Sequence, residues 1–365
     1  MEYLMGFHEI IPEYNVQILN GFADGIRVLN NKNEVIFVND AMLQLMGTNI
    51  DAMYCRFDNP FCNLNVTERS LETGEVIERM SHVEGKYFDI KTSPIKNDIG
   101  EIVGVIEIFR DITRERNLYA QLKEKNKNLV VEMDNASKIQ RGILPKKGFY
   151  KRLKLSYEYL PQSELSGDMI DVFTIDDSHT GISISDTVGH GFSASMITLT
   201  VKQALRNMTL ENSLSPALAL KELSKRFSSM GLGIDMYFTC FCAVYNHDTN
   251  VLRFANAGHN PSPLVLSDGE IRSLEVAGFP ISPLFQNRDY DEYSQTLYTG
   301  DKLFFMTDGI TEATDEKGTP FSIEHVKNLI LSEESDVLKK LVNSVGTHIK
   351  TNQVDDMTCM MIEIY

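Results

Sequence analysis

Four short segments, far apart in the chain, carry the residues best suited to chemistry. They are Ser166-Gly167-Asp168-Met169-Ile170-Asp171, Ser185-Asp186-Thr187-Val188-Gly189-His190-Gly191, Met306-Thr307-Asp308-Gly309-Ile310 and Val354-Asp355-Asp356-Met357-Thr358. Asp186 and Asp308 each follow an apolar, strand-like run and precede a glycine-containing turn, so their carboxylates project from strand ends, where sites form. Carboxylates gathered at one place resist ionising together. A bound divalent cation removes that repulsion, and hard oxygen donors suit Mg²⁺ or Mn²⁺ rather than zinc, which recruits Cys or His. Two such ions about 3.5–4 Å apart can share a water, lower its pKa and clamp a phosphoryl group for in-line attack. Taken singly, each segment has a bland reading. Asp-Gly is usually a turn, as Asp268-Gly269 reads here, and Asp-Asp before a strand is usually a solvated cap.

Apolar patterning outlines the elements that must position these acids. Strands are expected at Lys154–Tyr159, Gly181–Ser185, Tyr237–Tyr245, Val251–Ala257, Lys302–Met306 and Met357–Ile364. Helices are expected after Gly191 and after Ser215, where Ser215-Pro216 is an N-cap followed by proline at the first helical position. Leu220, Leu223, Phe227 and Met230 then share one face. Further upstream, GIRVLNNKNEVIFVN reads as two strands joined by the polar turn Asn30–Asn33. Two more strands follow at Tyr87–Ser93 and Ile102–Phe109, separated by Asn97-Asp98-Ile99-Gly100. Between these regions, residues 114–144 hold no proline and no glycine before Gly142. Leu118, Leu122, Leu129, Met133, Ala136 and Ile143 recur there at helical spacing. That predicts a long helix, ended by Pro145, whose stripe is interrupted by Lys125. The stripe reads as a parallel dimer seam ahead of a face packed on a domain. The chain therefore divides into residues 1–113, a helical linker at 114–144 and a larger domain at 145–365.

In order and context the four acidic segments match a known pattern. Together with Ala136-Ser137-Lys138-Ile139-Gln140, Ile143-Leu144-Pro145, the run Phe254-Ala255-Asn256-Ala257-Gly258-His259-Asn260-Pro261, Gly300-Asp301 and Glu312-Ala313, they make residues 134–365 resemble the bacterial PPM-type protein phosphatases of the SpoIIE/RsbU-like branch. The resemblance implies an αββα sandwich and metal-dependent hydrolysis of phosphoserine or phosphothreonine. By position, Asp186 would bridge two ions of Mn²⁺ or Mg²⁺, with the Thr187 carbonyl as a further ligand. Asp308 and Asp355 would complete one metal site and Asp168 the other. Asp186 and Asp308 are the residues expected to be indispensable to catalysis. Asp171, Asp356 and Gly189 would take supporting or third-metal positions, and His190 and His259 look like structural turn residues. Thr187-Val188 and Met169-Ile170 depart from commoner pairs, but neither departure removes a ligand. No phosphate-gripping arginine stands out, which leaves phosphate recognition to the metals. The substrate this implies is a phosphorylated anti-anti-sigma (STAS) protein of a partner-switching pathway.

Residues 13–113 resemble a PAS domain, carried by Asp24-Gly25-Ile26, Val38-Asn39-Asp40-Ala41 and the exit Arg110-Asp111-Ile112-Thr113. That implies an antiparallel sheet with flanking helices, so the fold class expected for the whole chain is α+β, with a coiled-coil linker between the two domains. Tyr54-Cys55-Arg56-Phe57 invites comparison with the flavin-adduct motif of light-sensing PAS domains. Tyr54 stands where that motif has asparagine, and Phe88 and Phe109 where it has amides, so flavin is disfavoured. Cys55 and Cys62 lack a second pair for zinc. His8 and His82 are lone histidines and weak candidates for haem, and the sensed ligand stays open. Cys240, Cys242 and Cys359 fall in expected strands and read as small buried hydrophobes.

Composition bounds the rest. At 365 residues the chain has room for two domains. A formal net charge of −16 disfavours nucleic acid and anionic membranes as partners. Five cysteines and an N-terminus without secretory character point to a reducing, cytoplasmic setting. Two other functions fit parts of the sequence. A catalytically silent PAS–pseudophosphatase scaffold would be favoured by loss of an aspartate, and none of the four is lost. A PAS-linked histidine kinase needs a phosphoacceptor histidine on the linker, and residues 114–144 contain none.

Overall fold

The computed structural model describes residues 13–46, 64–83, 85–189, 191–286, 288–332, 336–349, 353 and 355–365. The chain separates into two compact units, with the boundary between Asn128 and Leu129.

The first unit holds helices α1 (Glu13–Asn20), α2 (Asp40–Met46) and α3 (Leu64–Thr73). Its strands are β1 (Gly25–Asn30), β2 (Val35–Val38), β3 (Ile77–Val83), β4 (Lys86–Lys96) and β5 (Ile102–Asp111). These strands form one antiparallel sheet in the order β2-β1-β5-β4-β3. The Asn30–Asn33 turn forms as expected. The Asn30 side chain accepts from the amides of Lys32 and Glu34, and Asn33 takes a left-handed φ of 62°. Asn39 explains the motif that surrounds it. Its Oδ1 caps α2 through the Met42 amide and also accepts from Ile26 N on β1, while its Nδ2 donates to the carbonyls of Leu19 and Asp24. Phe88, Ile90 and Phe109 pack with Met42 and Val83 in the core. Cys55, Cys62, Tyr54 and His8 lie outside the described residues.

The exit from this sheet is capped. Asp111 accepts from the Thr113 amide, and Thr113 Oγ1 accepts from Tyr87 N. There α4 begins, running unbroken from Thr113 to Gly142, close to the expected 114–144. Its stripe is open to solvent at Leu118, Leu122 and Leu129.

The second unit is a sandwich of two antiparallel sheets. One has the order β14-β11-β10-β9-β8, from β8 (Asp168–Thr174), β9 (His179–Thr187), β10 (Phe238–Asn246), β11 (Val251–Ala257) and β14 (Tyr293–Thr296). The other has the order β13-β12-β15-β16-β7-β6, from β6 (Gly148–Tyr150), β7 (Leu153–Leu160), β12 (Leu264–Ser267), β13 (Glu270–Ser273), β15 (Lys302–Met306) and β16 (Met357–Ile364). Alternation along the strands shows how the layers stack. In β10, Phe241, Ala243 and Tyr245 enter the core between the sheets. Phe238, Cys240 and Cys242 face outward under helices α5 (Phe192–Arg206) and α7 (Pro216–Ser228), with the short α6 (Leu210–Leu214) between those helices in the chain. In β15 and β16, Leu303, Phe305, Met360 and Ile362 point inward. Phe304, Met306, Met357 and Cys359 pack outward on α9 (Ile323–Ser332) and α10 (Val337–Ile349), which follow the short α8 (Asp308–Thr311). The result is the expected αββα sandwich.

Three cysteines are thereby buried as small apolar groups. The Cys240 thiol is pushed well up by its contact with Cys242 and by burial, and burial pushes Cys359 up to about 12. Ser215 caps α7 through the Leu218 amide, with Pro216 first in the helix. Leu220, Leu223 and Phe227 are buried as expected. Met230 is a correction: α7 stops at Ser228, so Met230 leaves the helical face and is exposed.

Candidate active site

The strand ends bring the four acidic segments to one rim of the sandwich. Asp168, at the start of β8, pairs directly with Asp186 near the end of β9. Thr307 and Asp308 follow β15 in the opposite sheet, and Asp355 and Asp356 precede β16. A cavity of about 310 Å³ lies at this rim, lined by Asp186, Thr187, Val188, Gly189, Tyr237, Thr239, Asp308 and Asp355, with Asp168 and Asp356 outside its lining. Among the described residues, no three acidic, histidine or cysteine side chains close on one point as a finished coordination sphere; the acids surround a space.

Local packing fixes each acid. Asp168 is fully buried. Its Oδ2 accepts from Thr307 Oγ1 at 2.8 Å, a bridge between the two sheets, while its enclosed Oδ1 has no hydrogen-bond partner among the described residues. Its amide donates to Ser166 Oγ and its carbonyl accepts from Tyr159 Oη. Asp308 opens α8, and the turn depends on Gly309, where a Cβ would stand 2.0 Å from the Asp356 carbonyl oxygen. Asp356 accepts at 2.6 Å from both Gln162 N and Gly167 N, so it ties the β7–β8 loop to the start of β16.

Electrostatics make this an uncomfortable cluster of anions. Burial, followed by the neighbouring Asp186 charge, holds the Asp168 carboxyl well above the usual range. Burial and the charges of Asp308, Asp355 and Asp356 push Asp186 up to about 8. Burial, with Asp355 and Glu312, raises Asp308 to about 6. Among the described residues, no lysine, arginine or histidine lines the cavity to balance them. An all-oxygen donor set with a buried unpartnered carboxylate oxygen fits hard divalent cations.

Other residues singled out from the sequence sort cleanly. Asp171 is turned to α5, held by Lys202 Nζ at 2.7 Å and by a bidentate Arg206 at 2.6 and 2.7 Å. It belongs to the helix–sheet interface and not to the cavity, against the expectation of a supporting metal role. His259 is buried. Its Nε2 donates to the Met306 carbonyl at 3.1 Å and its Nδ1 lies 3.3 Å from Thr239 Oγ1. Burial lowers it to about 4, so it is a neutral strut behind Thr307-Asp308, as expected of a structural turn residue. Asn256 fixes that turn, accepting from His259 N and donating to the carbonyls of His259 and Val276. His190 lies outside the described residues.

One contact was not anticipated. Gln140, the buried residue of α4, pairs with the Ser166 backbone in both directions. Nε2 donates to Ser166 O at 2.8 Å, and Oε1 accepts from Ser166 N at 3.1 Å. The linker helix thus grips the peptide two residues before Asp168. Gln140 sits in a motif already visible in the sequence, but its amide pairing with backbone leaves no periodic signal.

The fold and site define a PAS domain followed by a PP2C-type serine/threonine phosphatase domain. Comparison with known proteins agrees. The family model "Stage II sporulation protein E (SpoIIE)" matches residues 176–365, just over half of the chain, and a PAS model matches residues 23–114. The chain belongs to the SpoIIE family. Among curated proteins it is 26% identical over 236 residues to phosphoserine phosphatase RsbU of Bacillus subtilis, covering 63% of this chain and 69% of that one. It is 25% identical over 235 residues to phosphoserine phosphatase RsbP of the same organism, covering 63% and 57%. The SiaA PP2C domain of Pseudomonas aeruginosa shares the fold with a TM-score of 0.58 at 23% identity, over 66% of this chain and 99% of that one. So does the SpoIIE phosphatase domain with a regulatory fragment from Bacillus subtilis, with a TM-score of 0.52 at 15% identity, over 82% and 86%. No helix among the described residues is long and apolar enough to cross a membrane.

Proposed function

We propose that the chain is a sensor-regulated phosphatase that hydrolyses phosphoserine or phosphothreonine on a protein, using two ions of Mn²⁺ or Mg²⁺. One observation carries the reading. Asp186, Asp308 and Asp355, drawn from both sheets, line a single cavity with no cationic side chain among its described lining residues, and Asp168, paired with Asp186 across the strands, keeps an enclosed oxygen with no hydrogen-bond partner among the described residues. Asp186 stands between the groups and would bridge the ions. Asp308 and Asp355 would hold one ion and Asp168 the other, with the Thr187 carbonyl completing the set. When bound, such a pair supplies a nucleophilic water at neutral pH and charge to orient the phosphoryl group. The chain's part is to hold the carboxylates apart at fixed positions: Thr307 Oγ1 aims Asp168, and Gly309 lets Asp308 approach the Asp356 backbone.

A phosphorylated STAS protein is the proposed substrate, in keeping with the RsbU and RsbP relatives being phosphoserine phosphatases. The exposed Leu118, Leu122 and Leu129 support pairing of α4 with its mate in a homodimer. The Gln140–Ser166 clamp supports control of the metal site by that helix. The competing reading is a silent scaffold that binds a partner without turnover. Mn²⁺ titration calorimetry separates them. Two ions per chain, together with metal-dependent phosphate release from a phosphoserine protein, are expected of the enzyme. Failure to bind metal, with partner binding intact, would leave the scaffold.

A further inference from the structure

We infer that the loop between α7 and β10, residues 229–237, is the docking surface for the folded phosphoprotein and grips an apolar patch beside its phosphorylated side chain. This rests on the phosphatase reading and adds how the substrate protein is chosen.

The loop adjoins the cavity. Tyr237 lines it beside Val188 and Gly189, and the Tyr237 carbonyl accepts from the Val188 amide at 3.1 Å. Any protein that brings a phosphorylated side chain to Asp186 and Asp308 must lie against this rim. The loop interleaves ordinary turn residues, Ser229, Gly231, Gly233 and Asp235, with large apolar ones that a solvated turn does not select. Met230, Leu232 and Ile234 are 45%, 37% and 66% exposed, with Ile234 at the turn itself. Turn tips in water favour Gly, Asn, Asp and Ser, and clustered large apolar side chains there mark a contact surface. Phe192 adds to the rim at the start of α5, just after the cavity-lining segment, and is 52% exposed.

The loop has a built shape. The Met236 amide bonds the Gly233 carbonyl at 3.1 Å, and the Met236 side chain packs into the cluster under α5 and α7. Side chains presented on a fixed turn lose little freedom on docking. Charge points to the same kind of partner. The mouth is acidic, and among the described residues no lysine, arginine or histidine lines the cavity. The described lining therefore offers no cationic side chain with which to grip acidic flanks. Recognition beyond the phosphoryl group falls to apolar contact.

The test compares Ile234→Asp and Leu232→Asp with the wild-type full chain, in Mn²⁺, on a serine-phosphorylated STAS domain and on p-nitrophenyl phosphate. Neither residue lines the cavity, and both side chains face solvent. The expected result is a loss of about tenfold or more in kcat/KM toward the phosphodomain, carried by KM, with p-nitrophenyl phosphate turnover kept within about twofold. Unchanged kinetics on the phosphodomain would overturn the inference, as would equal losses on both substrates. An altered oligomeric state with unchanged kinetics would overturn it in favour of a second copy of the chain on this loop. If the wild type cleaves p-nitrophenyl phosphate but not the phosphodomain, the docking inference fails and the phosphatase reading stands. If the wild type with metal is inert to both, the phosphatase reading itself fails.

Discussion

Replacing Gln140 by leucine keeps the side-chain volume and removes both hydrogen bonds to Ser166. Each is worth about 1 kcal/mol net, and stranding the buried Ser166 amide and carbonyl costs about 1–3 kcal/mol more. The total is about 3–5 kcal/mol, and its lower end already corresponds to roughly a hundredfold change in an equilibrium. The cost falls on the segment that sets Asp168, because Ser166 Oγ holds the Asp168 amide and the next residue, Gly167, is bound by Asp356. If metal binding requires that segment in place, the Mn²⁺ concentration for half-maximal phosphate release should rise roughly a hundredfold in Gln140→Leu. Gln140→Glu keeps an acceptor for Ser166 N but loses the donor, so an intermediate defect is expected. The assay is phosphate release against Mn²⁺ at fixed phosphoprotein, with the melting temperature followed in parallel. A natively folded Gln140→Leu with unchanged Mn²⁺ dependence and unchanged kcat would refute the idea that α4 controls the site through this clamp.

Other expectations follow from particular contacts. Gly309→Ala forces a methyl group to within 2.0 Å of the Asp356 carbonyl, so phosphate release should fall by about tenfold or more while circular dichroism stays native; wild-type activity would count against that packing. In the PAS unit, Arg27 and Glu107 form a fully buried ion pair, joined by Thr92 Oγ1 at 3.3 Å from Glu107. Arg27→Met leaves a carboxylate buried without its partner, and chemical denaturation of an isolated PAS fragment should show a loss of about 3–5 kcal/mol. The buried His259 binds a proton less readily when folded than when unfolded. Its stabilising effect is thus complete above its unfolded value near 6.5 and is lost as pH falls toward about 4. At 1.36 kcal/mol per pH unit this amounts to about 3 kcal/mol, so the decline in stability between pH 6.5 and 4 should be shallower in His259→Asn than in the wild type. Equal slopes would show that His259 is not the titrating group.

How much of this was legible in the sequence depended on what each strand faces. β15 and β16 were delimited residue for residue because they are largely buried on both sides and read as near-continuous apolar runs, and β11 because apolar residues flank its exposed Arg253. β8 carries Asp168 and Asp171, so it did not read as a strand. One acid faces the site and the other is neutralised by Lys202 and Arg206, and only the tertiary structure shows that both are tolerated. α9 and α10 also escaped notice. The four acidic segments were legible as a set, because strand ends followed by glycine turns leave a local signature. The roles of Thr307, Gln140 and Tyr237 were not, because each acts through a partner more than twenty residues away or through the backbone. The same limit applies to Asp171, whose spacing resembles that of a ligand but whose side chain lies on the opposite face of β8.

The most direct measurement is phosphate release from a serine-phosphorylated STAS domain by wild type and Asp186→Asn, each titrated with Mn²⁺ after chelation. Wild type should be silent without metal and turn over with it. Asp186→Asn, which removes a charge from the bridging position, should lose activity by about three orders of magnitude or more across the titration. Metal-independent turnover, or an Asp186→Asn variant as active as wild type, would contradict a metal-assisted phosphatase centred on Asp186.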